Sequence, residues 1–522
     1  MKSMVIALLL TAAAAADGHA ATCDSVAQLR LPNVSIITAE SRPAGEFTVP
    51  GERPIAHLPG FCRVAGSIKP SADSDIRFEV WLPAANWNGK FQGVGNGGYA
   101  GAINYAGLAD AVRNGYATAS TDTGHEAPNT SAEWAFQHPE KVVDFGYRAV
   151  HETAVAAKAV ISAFYGEGAK RSYFNSCSNG GRQALMEAQR FPADFDGIIA
   201  GAPANDWTHL LSSAANAVKA TLAEPARYIP AAKLPAIEAA ALDQCDFVDG
   251  VKDGVIENPL ACRFDPSILL CKGQGSDACL TTYQIASLKT IYGGLVNAEG
   301  QPIFPGLSPG GEAEPGGWKL WITGDAPEQS YAFAYGTQFF RNMVYGNPTW
   351  PYRAFDPDRD VKAADDRVAR YLNATDPDLS AFTKRGGKLI LYHGWTDAAI
   401  PPVNTVHYFD AVISKMGARE ADSSVRLYMV PGMEHCTGGA GPNAFGQQGT
   451  PDGDRLHSVD AALEAWVEQG LAPGRLIAAK HEGNNPGKPV VRTHPLCPWP
   501  QIARYKGSGS IDDEGSFSCV KP

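Results

Sequence analysis

Apolar and polar residues alternate along Ile76 to Leu82 (IRFEVWL), the period-two pattern of a half-buried strand. Lys90 to Gly95 reads as a second short strand, which runs into a glycine cluster of Gly93, Gly95, Gly97, Gly98 and Gly101. Tyr116 to Thr121 reads as a third. Asp144 to Phe164 has helical spacing with many alanines. Arg171 to Ser176 predicts a strand, and Gly180 to Phe191 the helix after it. Gly197 to Ala202 (GIIAGA), Gly387 to His393 (GKLILYH) and Val425 to Val430 (VRLYMV) predict buried strands, and Ser458 to Gln469 a helix. Strands alternating with helices imply an α/β fold, with a largely parallel sheet covered on both faces. Between 208 and 384 this alternation fades, and glycine, proline, aromatics and four cysteines crowd in. That change predicts a lid domain over 208–384, inserted into a catalytic domain made of 21–207 and 385–522.

Composition narrows the compartment and the partners. The 522 residues carry 55 acidic and 44 basic side chains, a formal charge of −11, which argues against nucleic acid as a partner. At the N-terminus, Lys2 precedes an apolar run from Met4 to Ala16, and Gly18-His19-Ala20 supplies small residues for cleavage. Residues 1–20 therefore read as a signal peptide, too short to span a bilayer. No later segment is apolar for long enough to predict a membrane span, so a secreted or periplasmic protein is expected. Ten cysteines in that compartment read as disulfides. Chain order suggests local pairs: Cys23 with Cys62, Cys245 with Cys262, Cys271 with Cys279 and Cys497 with Cys519. Cys177 and Cys436 are left over. Order alone selects none of the many connectivities that ten cysteines allow.

The chemistry concentrates around those two cysteines. In Tyr173-Phe174-Asn175-Ser176-Cys177-Ser178-Asn179-Gly180-Gly181-Arg182-Gln183 a strand turns into a helix with Ser178 at the bend. This is the setting of the G-x-S-x-G nucleophile elbow, in which the N–H of the next residue, here Asn179, faces a developing oxyanion. Ser176 stands where the first glycine is usual. A serine before two glycines also serves as a plain N-cap, so the motif needs partners. Asp397 follows the strand that ends at His393, and His435 lies in the loop after the strand ending at Val430. Serine, acid and histidine thus occur in the α/β-hydrolase order, although either partner taken alone is an ordinary loop residue. Cys177 precedes the serine and Cys436 follows the histidine, so a bridge between them would tether nucleophile to base.

With these motifs, the chain resembles the tannase and feruloyl esterase family of α/β-hydrolases. The resemblance covers the mature chain. It includes Asn86-Trp87-Asn88-Gly89-Lys90-Phe91, the elbow, Tyr392-His393-Gly394-Trp395-Thr396-Asp397 and Val430-Pro431-Gly432-Met433-Glu434-His435-Cys436. It extends to Cys497-Pro498-Trp499-Pro500-Gln501 and Tyr505-Lys506-Gly507. The resemblance implies the five bridges suggested by chain order, Cys177–Cys436 included. It also implies a second oxyanion donor at Gly98, and a secreted carboxylic ester hydrolase acting on small aromatic esters, hydroxycinnamates or gallates.

A second cluster, Cys245-Asp246-Phe247-Val248-Asp249-Gly250-Val251-Lys252-Asp253-Gly254-Val255-Ile256, spaces three carboxylates between glycines. Such a loop either turns at an acidic surface or wraps a hard cation in oxygen ligands. The resemblance implies a structural Ca2+ held by the side chains of Asp246, Asp249 and Asp253 and the carbonyls of Val251 and Val255. The lid is rich in aromatics (Trp318, Trp321, Tyr331, Phe333, Tyr335, Phe339, Phe340, Tyr345, Trp350), and none is assigned to substrate. The arginine segment that terephthalate monoester hydrolases of this family use is not matched in 320–350, although Arg341 is near. A mono(2-hydroxyethyl) terephthalate hydrolase, a general carboxylesterase, a peptidase and a catalytically dead binding protein are the alternatives. Oligomeric state is not readable.

Overall fold

The computed structural model describes residues 22–49, 53–450 and 453–522; the expected leader, 1–20, lies outside them. The central sheet is built from β1 (Val34–Arg42), β2 (Phe61–Ile68), β3 (Ile76–Pro83), β4 (Lys90–Val94), β5 (Ala117–Thr121), β6 (Arg171–Cys177), β7 (Gly197–Gly201), β8 (Lys388–Gly394) and β9 (Val425–Val430). Their spatial order is β1-β2-β3-β5-β4-β6-β7-β8-β9. From β5 to β9 every pairing is parallel, whereas β1, β2, β3 and β5 pair antiparallel. The sheet is therefore mixed. β1 and β2 escape the sequence pattern for a physical reason. β1 is an edge strand whose Ile37 is 71% exposed, and β2 is interrupted by Cys62, Arg63, Gly66 and Ser67.

The principal helices are α1 (Tyr105–Arg113), α2 (Ala149–Tyr165), α3 (Asn179–Arg190), α4 (Trp207–Leu222), α5 (Leu234–Cys245), α6 (Thr282–Gly293), α7 (Tyr331–Gln338), α8 (Val403–Met416) and α9 (Val459–Gln469). The predicted helix 144–164 is preceded by a turn of π-helix at Asp144–Arg148, closed by an Arg148–Asp144 ion pair of 2.5 Å. Strand alternation sorts side chains onto two faces. Ile198, Leu389, Leu391 and Leu427 face α2, α3 and α8. Ile199, Ile390, Tyr392 and Tyr428 face Leu463 and Trp466 of α9. Both faces are buried, which is why these strands read as nearly continuous apolar runs.

The 208–384 segment lies between β7 and β8. Its Phe339, Phe340, Trp350 and Phe355 lie in an apolar cluster shared with Tyr99, Phe145 and Trp207 outside the segment, and its Ile237, Leu288 and Trp318 lie in another. α4 and α7 approach closely because Gly336 sits against the Ala215 backbone, where a Cβ would come within 2.9 Å. Five disulfides join Cys23–Cys62, Cys177–Cys436, Cys245–Cys262, Cys271–Cys279 and Cys497–Cys519. Among the described residues, no helix is long and apolar enough to cross a membrane.

Candidate active site

β6 delivers Ser178 to the C-terminal edge of the sheet. Ser178 has φ 67° and ψ −126°, a strained conformation for a residue with a Cβ. The turn around it holds that strain. The Ser178 N–H donates to Gly201 O (2.9 Å), and its carbonyl accepts from Arg182 N (3.1 Å) and Ala204 N (3.1 Å). Ser176 fits at the usual glycine position because the neighbouring helix supplies the space. A Cβ on Gly180 would lie 1.9 Å from Ser176 Oγ. Ser178 occupies the N-cap position of α3 yet caps nothing. Its hydroxyl is instead 2.8 Å from His435 Nε2.

His435 Nδ1 lies 2.8 Å from Asp397 Oδ2. Asp397 is fixed from both sides: Oδ1 accepts from Ala399 N (2.7 Å) and Ile400 N (3.0 Å), and Oδ2 also meets His393 Nε2 (3.1 Å). Burial works against its charge. The nearby His435 charge and hydrogen bonds from both imidazoles win, and the carboxyl is held well below the usual range. His393 is fully buried and its Nδ1 lies 2.7 Å from Thr405 Oγ1. Sequence reading quoted this residue within a motif without giving it a task; its signal is a polar ring at the end of an otherwise apolar strand.

The neighbouring acid behaves in the opposite way. Glu434 is 2% exposed and neither carboxyl oxygen has a hydrogen-bond partner. Burial first, then Asp397, Glu314 and Glu312, push it up to about 10, so it is a neutral acid. Its Oε1 faces Gly311 of the lid. The disulfide between Cys177 and Cys436 ties the elbow to the histidine loop from behind.

Asn179 opens α3, so its N–H belongs to the helix's unpaired first turn, where partial positive charge collects. Gly98 and Asn179 both line the cavity beside Ser178. Gly98 has φ +54°, and a Cβ there would lie 2.5 Å from Tyr335 Oη. Two clasps, neither foreseen, hold these positions. Gln183 Oε1 accepts from Asn96 N (3.0 Å), and its Nε2 donates to Asn96 Oδ1 (3.2 Å). Arg182, fully buried, donates Nε to Asn179 Oδ1 (2.8 Å) and its remaining nitrogens to carbonyls of Gly146, Phe145 and Leu372.

About 90 Å³ of the cavity is open to the centre of a water-sized sphere. Of the nine lid aromatics, Trp321 and Tyr335 line it, and Trp321 packs edge-on against His435 at 5.0 Å. Trp318, Phe339, Phe340 and Trp350 are buried in the lid interior. Arg341 is not among the lining residues.

The acidic loop lies apart from the cavity lining. Asp246 accepts from Asp253 N (3.2 Å) and Gly254 N (2.9 Å), and Asp249 accepts from Val251 N (2.9 Å). Asp253 meets Arg492 NH1 at 3.2 Å, a contact absent from the sequence reading. Burial first, then the neighbouring carboxylates, push Asp249 up to about 6. A concentration of negative charge held in a disulfide-braced loop suits a hard cation, and the oxygen-only donor set fits calcium. The tightest trio of potential metal ligands among the described residues is elsewhere, His151, Glu187 and Asp194.

The chain is similar to several known proteins. The family model for tannase and feruloyl esterase matches residues 62–520. An uncharacterised esterase of Xanthomonas campestris pv. campestris is 45% identical, over 98% of this chain and 93% of its own. The crystal structure of feruloyl esterase B from Aspergillus oryzae is 32% identical, covers 95% of this chain and 99% of its own, and superposes with a TM-score of 0.88. Tannin acyl hydrolase from Aspergillus niger, 24% identical with 96% and 95% covered, has the same fold at a TM-score of 0.74.

Proposed function

The chain belongs to the tannase and feruloyl esterase family, and from that premise we propose that it is a secreted serine esterase cleaving esters of hydroxycinnamic or gallic acids. It is a carboxylic ester hydrolase of aromatic esters; the acyl-enzyme mechanism, the named acids and export are our reading. The unbroken hydrogen-bonded line from Ser178 through His435 to Asp397 carries it.

In that reading His435 Nε2 takes the Ser178 proton as Oγ attacks the ester carbonyl. Asp397 holds the Nδ1–H tautomer and stabilises the imidazolium. The N–H groups of Asn179 and Gly98 receive the oxyanion. His435 returns its proton to the departing alcohol. Water, deprotonated by His435, then attacks the acyl-serine, and the acid leaves with Ser178 restored. Five disulfides support export to an oxidising compartment.

The test is a panel of methyl ferulate, chlorogenic acid and methyl gallate, with released acid read by chromatography and Ser178→Ala alongside. Serine-dependent release from one member supports the reading. Labelling of Ser178 by a fluorophosphonate without release from any member would remove the substrate class.

We also propose that Asp246, Asp249 and Asp253, with the carbonyls of Val251 and Val255, hold a structural Ca2+. Bound calcium supplies positive charge that offsets the crowded carboxylates. None of these five residues lines the cavity beside Ser178, so the ion has no part in the proton transfers. Calcium added to chelator-treated protein should raise the melting temperature by several degrees, and Asp249→Asn should abolish that rise. An unchanged melting temperature would refute the site.

A further inference from the structure

The cavity beside Ser178 is not a compact cup. Its lining follows one face of α4, through Trp207, Leu210, Leu211, Ala214 and Ala217, and ends against Thr290 on α6. These positions fall at helical spacing. Ten residues from Trp207 to Ala217, at ~1.5 Å each, give a slot roughly 15 Å long. The helix starts at the nucleophile, because Ala204 N donates to Ser178 O at 3.1 Å, and leads away from it. A ring attached directly to the ester carbonyl occupies only the near part of such a slot.

Two features of the lining decide what it holds. First, none of the lining residues is charged; the polar groups are hydroxyls and amides such as Thr290 and Asn216. An ionised group on the bound arm would be desolvated without a partner. Second, the near walls of the slot pack on the Gly98 side of Ser178: Trp207 and Tyr335 both pack against Tyr99, at 5.7 and 5.3 Å between ring centres, and a Cβ on Gly98 would lie 2.5 Å from Tyr335 Oη. The leaving alcohol must sit beside the base that protonates it. The slot therefore extends on the oxyanion side, and it holds the acyl arm.

We propose that the α4 slot is an acyl channel for neutral, extended, predominantly apolar acyl groups, medium-length straight-chain acids included, with Ala214 and Ala217 setting its depth. The proposal rests on the serine esterase reading and names the acyl class that site accepts. A carbon chain advances roughly 1.3 Å per bond at the usual C–C length, so about ten to twelve carbons fill the slot.

The experiment measures kcat/KM of the wild-type protein on p-nitrophenyl esters from acetate to dodecanoate. It adds monoesters that carry a terminal carboxylate at matched length, and Ala217→Phe. Each added methylene should raise kcat/KM roughly threefold to fourfold up to about ten carbons, with a decline beyond. A terminal carboxylate should cost at least about 100-fold against its uncharged match. Ala217→Phe should reduce the octanoate-to-acetate ratio by about 30-fold or more. The carboxylate comparison uses only wild-type protein, so it stands if that variant fails to fold. Serine-dependent turnover of acetate with no gain along the series, or equal turnover of charged and uncharged arms, overturns the channel and leaves the esterase reading intact. Absence of serine-dependent turnover on every ester overturns the esterase reading itself.

Discussion

The floor and the roof of the cavity are built on opposite plans. On the floor, polar groups are held by named partners. Ser178 is tied to His435, His435 to Asp397, and Asp397 to His393 and two backbone N–H groups. Arg182 and Gln183 fasten the elbow helix to its surroundings. On the roof, Leu210, Leu211, Ala214, Ile322 and Tyr335 offer shape and little charge. The difference teaches where each kind of control resides. Charge development in the transition state needs groups that do not reorganise, whereas selection among acyl arms needs only contour. Changes to the floor should therefore act on kcat, and changes to the roof on selectivity.

The largest effect should come from the floor's centre. Ser178→Ala should lower turnover by about 10⁴-fold or more while leaving substrate binding nearly intact. Steady-state rates with binding measured by calorimetry check this, and a variant that kept wild-type turnover would break the contrast outright. Next is the tether. The Cys177–Cys436 bridge closes a loop with a sequence separation of 259, for which the chain-entropy model gives about 5–6 kcal/mol before strain. Replacing both cysteines by serine should lower the melting temperature more than opening the Cys271–Cys279 bridge, whose separation is 8. Thermal melts of the two double variants, recorded together, give that order directly; the reverse order would mean that the tether adds nothing special to the floor.

A smaller effect should appear at the seam where floor meets roof. Glu434, raised to about 10, keeps its proton in the folded state while the unfolded chain loses it near the ordinary glutamate range. The unfolded state therefore binds fewer protons across that interval, and stability falls as pH rises through it. Glu434→Gln removes that slope. Relative to wild type, the variant should gain about 4–5 °C in melting temperature between pH ~5 and pH ~9. A pH-independent difference between the two proteins would show that Glu434 is ionised in place. The smallest effect should come from the roof. Tyr335→Phe should leave kcat within about threefold and act on KM, because the roof contributes contour. A drop in kcat comparable to that of a floor residue would move Tyr335 into the oxyanion site proposed at Gly98.

Much of the floor was readable along the chain. A strand, a bend with small residues and a helix can be recognised locally, so Ser178 and Asn179 were found where the structure places them. Asp397 and His435 were legible because each follows a buried strand with a strong apolar run, β8 and β9. The partners that steady them were not. Arg182 and the Gln183–Asn96 clasp work through contacts between distant segments, and nothing in their local pattern marks them; His393 stands out only as a polar ring ending an apolar strand, which does not name its partner. The antiparallel strands β1 and β2 were missed for a related reason: an edge strand and an interrupted one carry weak alternation.

The sequence by itself determined the alternating elements that make an α/β sheet, the order serine, acid, histidine, and the cysteines that flank two of them. These depend on near-neighbour spacing and on burial, which a linear pattern records. Only the tertiary structure decided which acid is ionised and which stays neutral beside His435, which lid aromatics face the nucleophile, and that the slot along α4 is long and uncharged. Those properties depend on distances between residues far apart in the chain. They are set when the 208–384 segment packs beside Ser178 and His435, because electrostatic partners and cavity walls exist only after packing brings them together.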